Sequence, residues 1–331
     1  MDLLWLYPIG ATRNTLSTRP KTWALETKAQ KLSTFAIAGL QLDLGHGDNI
    51  DEISEEVRGV KRRFPWIDMV LIGELAAFGP KLDKAEPLPG PAEDRFAALA
   101  RECGLWLIPG SIYERSGSRI FNTTPVINPD GELIARYRKM YPFLPYERDV
   151  AAGDQSIVFD VPGKGRFGVS ICYDMWFPET TRTLAWMGAE VILHPVMTNT
   201  IDRDVELAMA RSSAATNQCY VFDINITGRL GYGRSLVCGP GGEVIHQAGT
   251  DREIIPVEVD FDYVRRVRER GWQGLGQVLK SYRDGGHVFP QYADGAASAA
   301  LNRLGELQKP ESDGDTQASK TPPATRKTRG D

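Results

Sequence analysis

Histidine is scarce in this chain: four occur in 331 residues, at 46, 194, 246 and 287, and none stands in an HxxxH or HxxEH spacing. A histidine-built metal centre therefore has no support, and any hydrolytic chemistry is pointed towards another base. Cysteine is equally sparse. Cys103, Cys172, Cys219 and Cys238 form no CxxC pair, and four free thiols fit a reducing compartment. No apolar run reaches the roughly 18 residues that a membrane helix needs. The opening MDLLWLYPIG carries the acidic Asp2 and breaks at Pro8, so it lacks the basic start and long apolar stretch of a secretory signal. A cytoplasmic location is the expectation, with no membrane partner. The net charge of −4 offers no positive excess for a nucleic-acid polyanion. Neither a metal nor a cofactor is expected.

What the chain does have is an ordinary core-forming composition, 42% hydrophobic and 25% charged. From Phe35 the pattern becomes regular. FAIAGLQLDL reads as a strand, and the following segment repeats apolar residues at Ile50, Ile53, Val57 and Val60, a helical period. DMVLIGEL is a strand, and residues 91–104 form a helix opened by Pro91 and closed by Gly104. LWLIPGSI is a strand. FNTTPVINPDGELIARYRK reads as two strands joined by a turn at Pro129-Asp130-Gly131. GRFGVSICYD reads as a strand, with helices at 178–188 and 204–217 alternating with EVILHPV and CYVFDINI. SLVCGPGGEVIHQAG and EIIPVEVD add strands, and a helix runs from Asp260 to about Arg270. Alternating helices and strands mixed with hairpins predict an α/β fold, helices outside two mixed sheets in a layered α-β-β-α sandwich. The folded unit is placed at 34–290. Residues 1–33 are read as a loosely held extension and 291–331 as a tail, disordered from Lys309 because it lacks large apolar residues.

Four polar residues invite a chemical reading. Cys172 sits where an apolar strand runs into a turn and a helix near Pro178, so the N–H groups beyond it favour a thiolate and an oxyanion. Glu74 closes an apolar strand, where burial would raise a carboxyl towards neutrality and suit it as a base. Lys139, in ELIARYRKMYPF, could stabilise an oxyanion, and Glu147 could orient it. Taken singly, each has an ordinary reading: a structural cysteine, a solvated strand-end glutamate, an edge lysine, a loop glutamate.

Together and in this order they resemble the nitrilase (carbon–nitrogen hydrolase) superfamily. The strand ending in Glu74, the block FNTTPVINPDGELIARYRKMYPF with Lys139 and the block GVSICYDMWFPE with Cys172 are similar to that family's three signatures. ARSSAATNQCYVFDINITG and GRSLVCGPGGEVI extend the likeness, which spans about Phe35 to Asp262. The resemblance implies a four-layer sandwich of two mixed sheets flanked by helices, a Glu-Lys-Cys triad, and a second glutamate at Glu147. It implies an amidohydrolase acting on a small amide through a cysteine thioester, with Tyr173 N–H as an oxyanion donor. It also implies a homodimer packing through helices near the cysteine, with 178–188 (Leu184, Ala185, Met187) on that surface and the segment after Asp260 crossing to the partner.

Substrate choice stays open among amides, N-carbamoyl compounds and nitriles, and a non-catalytic binding protein on the same fold is a further alternative. Branches acting on acids often carry an arginine shortly after the cysteine, where this chain has Met175 and Trp176. Trp176 offers an apolar or cation-binding wall, which points to neutral or cationic substrates. Arg203 and Arg211 remain candidate anion partners. His194 is read either as facing the pocket or as a satisfied strand-end histidine.

Overall fold

The computed structural model describes residues 34–144 and 146–308. The expected extension at 1–33 and the tail from Lys309 lie outside the described residues. Three parallel strands open the first sheet: β1 (Thr34–Gln41), β3 (Met69–Ile72) and β4 (Trp106–Ile108), with a two-residue strand β2 (Asp43–Leu44) after β1. Parallel neighbours need crossovers. These are α1 (Ile50–Arg63) and α2 (Pro91–Cys103). β5 (Ile112–Ser116), β6 (Arg119–Ile127) and β7 (Leu133–Arg138) extend the sheet antiparallel, the expected turn at Gly131 joining the last two.

The second sheet repeats the plan. β8 (Ile157–Val161) pairs antiparallel with β9 (Gly165–Val169). α3 (Pro178–Trp186) crosses to β10 (Val191–Val196), and α4 (Arg203–Asn217) to β11 (Tyr220–Asn225), all three strands parallel. A short β12 (Thr227–Gly228) pairs with β2. β13 (Leu236–Cys238) and β14 (Val244–Gln247) close the sheet, and β15 (Glu253–Asp260) returns to pair with β1. α5 (Phe261–Arg270) follows, then α6 (Val278–Asp284). Described structure continues past residue 290, with single helical turns at Pro290–Tyr292 and Leu301–Arg303.

Strand alternation sorts the side chains into layers. Ile37 and Leu71 of one sheet meet Val169, Leu193 and Phe222 of the other in the central core. Ala38, Leu40 and Val70 face the opposite way, onto Ile53, Val57 and Val60 of α1 and Phe96 of α2. Ile192 and Val221 face Leu184 of α3 and Leu207 and Ala214 of α4. The α1 stripe alone buries four apolar side chains, each worth about 1.5–3 kcal/mol. The result is the four-layer α-β-β-α sandwich.

Two expectations need correction here. Leu184 and Ala185 are buried within this chain, so they cannot carry the expected dimer surface; Trp186 is the exposed large apolar residue of that helix. α5 buries Phe261, Val264 and Val267, the first two in the central core. The strand predicted through Asp174 stops at Val169, and Cys172–Trp176 is a turn of 3-10 helix. Among the described residues no helix is long and apolar enough to cross a membrane.

Two glycines at positive φ separate a steric need from a conformational one. Gly104 ends α2 at φ 60° with nothing near an added Cβ. Gly110 has φ 83°, and a Cβ there would lie 1.9 Å from the Gly73 carbonyl oxygen, one residue before Glu74. Gly104→Ala should cost about 1 kcal/mol, the left-handed penalty alone. Gly110→Ala should cost clearly more, about 2 kcal/mol or above, because the Gly73 turn must also move. Urea unfolding of both variants checks the order; equal losses would remove the steric argument.

Candidate active site

Parallel α/β sheets gather functional groups beyond the carboxyl ends of their strands. Glu74 lies two residues past β3, Cys172 three past β9 and Thr198 two past β10, while Lys139 directly follows β7. The two sheets are tied at this end by Glu74 N–H, which donates to the Val196 carbonyl at 3.1 Å.

Lys139 is fully buried. Its Nζ donates to Glu74 Oε1 at 2.7 Å and to Glu147 Oε2 at 3.0 Å. An ammonium has three protons, so one remains for the cavity. Asn122 Nδ2 adds a bond to Glu74 Oε1 at 2.8 Å, and Phe143 N–H one to Glu147 Oε2 at 2.6 Å. Burial alone would lower the Lys139 pKa, but the two carboxylates hold it well above the usual lysine range. Burial raises Glu74 against the pull of Lys139. Glu147 stays below the ordinary range because Lys139 and the Phe143 N–H outweigh its burial. The two glutamates are thus pushed apart, the pattern that makes one of them a proton carrier.

Cys172 is half-buried, contacts Glu74, and has a left-handed backbone with φ 44°. Five non-glycine residues among those described have positive φ, and two of them, Leu75 and Cys172, lie at this site. Such conformations cost about 1–3 kcal/mol each and persist where the surroundings enforce them. Asp174 does so here. It is fully buried, and its carboxylate accepts Tyr137 Oη–H at 2.6 Å, Ile171 N–H at 2.8 Å and Tyr141 N–H at 2.9 Å. The expectation of a depressed thiol pKa fails. Burial and the neighbouring Glu74 push Cys172 well above the usual thiol range, outweighing Lys139. At rest the sulfur carries its proton, and deprotonation has to be coupled to a base.

These groups border a cavity of about 360 Å³. Tyr173 and Trp176 line it, with Phe143 and Tyr146. The rings run as a chain, Tyr146 to Phe143 at 5.0 Å, Phe143 to Tyr173 at 4.9 Å and Tyr173 to Trp176 at 5.9 Å. His194 does not reach it: buried in β10, it bonds Ser170 Oγ through Nδ1 at 2.8 Å, and burial lowers its pKa to about 4. Arg203 is fully buried and already paired with Asp223 and Glu206, and Arg211 bonds the Gly242 carbonyl away from the cavity, so neither is an anion clamp. Asn122, Asp174, Thr198 and Glu206 were missed in the sequence; only Asp174, two residues after the cysteine, carried a local signal. No cluster of three or more metal-ligating side chains is found among the described residues.

The chain's relatives agree with this picture of the fold. The sequence profile described as carbon–nitrogen hydrolase matches residues 19–269. Omega-amidase NIT2 of Homo sapiens is 28% identical over 258 residues, which is 72% of this chain and 93% of the human protein. Omega-amidase NIT2-B of Xenopus laevis is 32% identical over 201 residues, 56% of this chain and 72% of its own. Among solved structures, Saccharomyces cerevisiae Nit3, described as a member of branch 10 of the nitrilase superfamily, is 28% identical with a TM-score of 0.67, covering 71% of this chain and 93% of that one. An amidase from Nesterenkonia sp. shares the fold at 23% identity and a TM-score of 0.61, covering 71% of this chain and 94% of its own.

The Asp174 anchor has a pH signature. Burial raises its carboxyl from the ordinary 3.8 to about 6, although the Tyr137 hydroxyl and two N–H groups favour the charge. The folded state therefore prefers the neutral acid. Its contribution to stability is complete below about pH 3.8 and is lost as the pH rises through about 6. Between pH 4 and pH 7 the natural protein should lose roughly 1–3 kcal/mol relative to Asp174→Asn, other groups cancelling in the difference. Urea unfolding at the two pH values checks it; a constant difference would show that Asp174 is ionised throughout.

Proposed function

The chain belongs to the carbon–nitrogen hydrolase family of the nitrilase superfamily and is a hydrolase of amide C–N bonds, and on that premise we propose that it cleaves a small amide through a thioester on Cys172. The observation that carries this reading is the buried Lys139, bonded to Glu74 and Glu147 beside the Cys172 thiol at the wall of one cavity.

In the proposed cycle Glu74 takes the thiol proton as sulfur attacks the amide carbon, so no free thiolate has to accumulate. The oxygen that gains charge is met by the third Lys139 proton and by the Tyr173 N–H, donors fixed before reaction. Glu74 returns its proton to the departing nitrogen, which leaves as ammonia or an amine and gives the acyl thioester. Water enters, Glu74 takes one of its protons, and the hydroxide adds to the thioester carbon. Collapse releases the acid, and Cys172 recovers the proton. Glu147 keeps Lys139 charged while Glu74 changes state. A ureide N–C bond would follow the same steps, and the names of the amidase relatives favour amides over nitriles.

The cavity's charge bears on the substrate. Among the described residues lining it, Lys139 is the one cation, against Glu74, Glu147, Asp149, Asp202 and Glu206. Lys139 is committed to two of these. A substrate carboxylate beside the scissile group would enter without a partner and lose hydration. A neutral or cationic chain would meet the rings of Tyr173 and Trp176 instead.

Two measurements test this. Cys172→Ala should abolish turnover with folding intact, Glu74→Gln should slow acylation by orders of magnitude, and Lys139→Ala should cost about 10²-fold or more in kcat. A near-normal rate in any of them removes that residue's role. In a panel scored by ammonia release, kcat/KM should be higher for a neutral or cationic amide than for its matched acid; preference for the acid would refute the pocket reading.

A further inference from the structure

Cys172 lies between two buried carboxylates. Glu74 contacts it directly, and Glu206 of α4 reaches it through one hydroxyl. Thr198 Oγ1 stands 3.8 Å from Cys172 Sγ and 2.9 Å from Glu206 Oε1. A hydroxyl has one proton. With that proton on the carboxylate, only oxygen lone pairs face the sulfur, so Thr198 has no proton to donate to Cys172.

The chain of contacts is built rather than incidental. Asn225 grips the Thr198 backbone from both sides, its Oδ1 accepting the N–H at 2.9 Å and its Nδ2 donating to the carbonyl at 3.0 Å. Glu206 Oε2 accepts Arg203 Nη1 at 3.1 Å. Arg203 is held in turn by Asp223 and by the carbonyls of Gly233 and Arg234. Thr198, Glu206, Arg203 and Asp223 are all buried, and none of them serves the acyl-transfer steps above. One guanidinium shared by two carboxylates leaves this cluster with negative charge next to the nucleophile.

We infer that Glu206, acting through Thr198, is a positioning residue for the nucleophile: it turns the Thr198 proton away from Cys172, so that only a lone pair faces the sulfur, no hydrogen bond from Thr198 supports a thiolate, and the proton stays on sulfur in the resting enzyme until Glu74 takes it. This rests on the reading of Cys172 as the nucleophile. The charged groups facing the sulfur are Glu74 beyond β3 and Glu206 on α4, which oppose a thiolate, and Lys139 beyond β7, which favours it. Asp174, in the same turn, is occupied by Tyr137, Ile171 and Tyr141. Burial pushes the Glu206 carboxyl upward against the pull of Arg203, so the device operates above the pH at which Glu206 ionises.

The test is the pH dependence of Cys172 alkylation by iodoacetamide in the full chain, read by peptide mass spectrometry, together with kcat and KM for one amide. In Glu206→Gln the amide oxygen keeps Arg203 while the NH2 donates to Thr198, whose own proton then turns towards sulfur. Loss of charge and reversal of the hydrogen bond act in the same direction. The alkylation midpoint should fall by about one pH unit or more, with about tenfold faster labelling at neutral pH. Thr198→Val should lower kcat about tenfold with a smaller change in KM, and Thr198→Ser should restore both the rate and the natural midpoint. An unmoved midpoint in Glu206→Gln overturns the inference, as does a Thr198→Ser variant that behaves like Thr198→Val. Labelling that rises equally at every pH indicates loosening and also counts against it. If alkylated Cys172 leaves turnover intact, the thioester reading falls and this inference with it. If alkylation blocks turnover but the midpoint does not move, only the inference falls.

Discussion

Everything at this site depends on one buried ammonium. Lys139 is almost wholly buried, and the cost of removing an ammonium from water is several kcal/mol even after relaxation. Two carboxylates at 2.7 and 3.0 Å offset that cost, but in doing so they become fixed themselves. Glu74 cannot move without stranding the charge, and Glu147 cannot leave while Phe143 N–H and Lys139 both hold it. A pair of this kind contributes little net stability, since an apolar replacement of similar shape would cost less. Its consequence is positional: a proton acceptor and a proton donor held at known places beside a thiol.

The fold creates the surroundings that this arrangement needs. Parallel strands in each sheet end on the same side, and the crossovers through α1 to α4 leave their following turns free to carry polar groups. The sandwich behind them is apolar and tightly filled, so the turns, not the strands, absorb the strain. Leu75 and Cys172 adopt left-handed backbone there, and Asp174 binds the Cys172 turn with three hydrogen bonds. Strain, buried charge and a cavity thus coincide in one place.

Much of this was legible in the sequence, for identifiable reasons. The apolar period of α1, the Pro91 and Gly104 ends of α2 and the turn at Gly131 are local signals, and local structure follows them. Cys172, Glu74 and Lys139 stood out because each breaks an otherwise apolar or strand-like run. The failures share a cause, which is long range. Arg203 reads as a spare cation until Asp223, on the neighbouring strand, is seen to hold it. His194 lies in a strand buried on both faces, so alternation cannot say which way it points. The thiol was expected to ionise easily because the N–H groups after it are near in sequence, whereas Glu74, which opposes ionisation, comes from the other sheet. Thr198 and Glu206 meet the cysteine only after α4 has folded back along the second sheet.

The central claim is covalent chemistry at one sulfur. The most direct measurement is the mass of the protein quenched during turnover of a simple aliphatic amide, followed by peptide mapping. The account predicts a species heavier by the acyl group less one hydrogen, located on the Cys172 peptide, absent from Cys172→Ala and persisting longer in slow-deacylating conditions. Steady release of ammonia with no adduct under any quench, undiminished in Cys172→Ala, would contradict it.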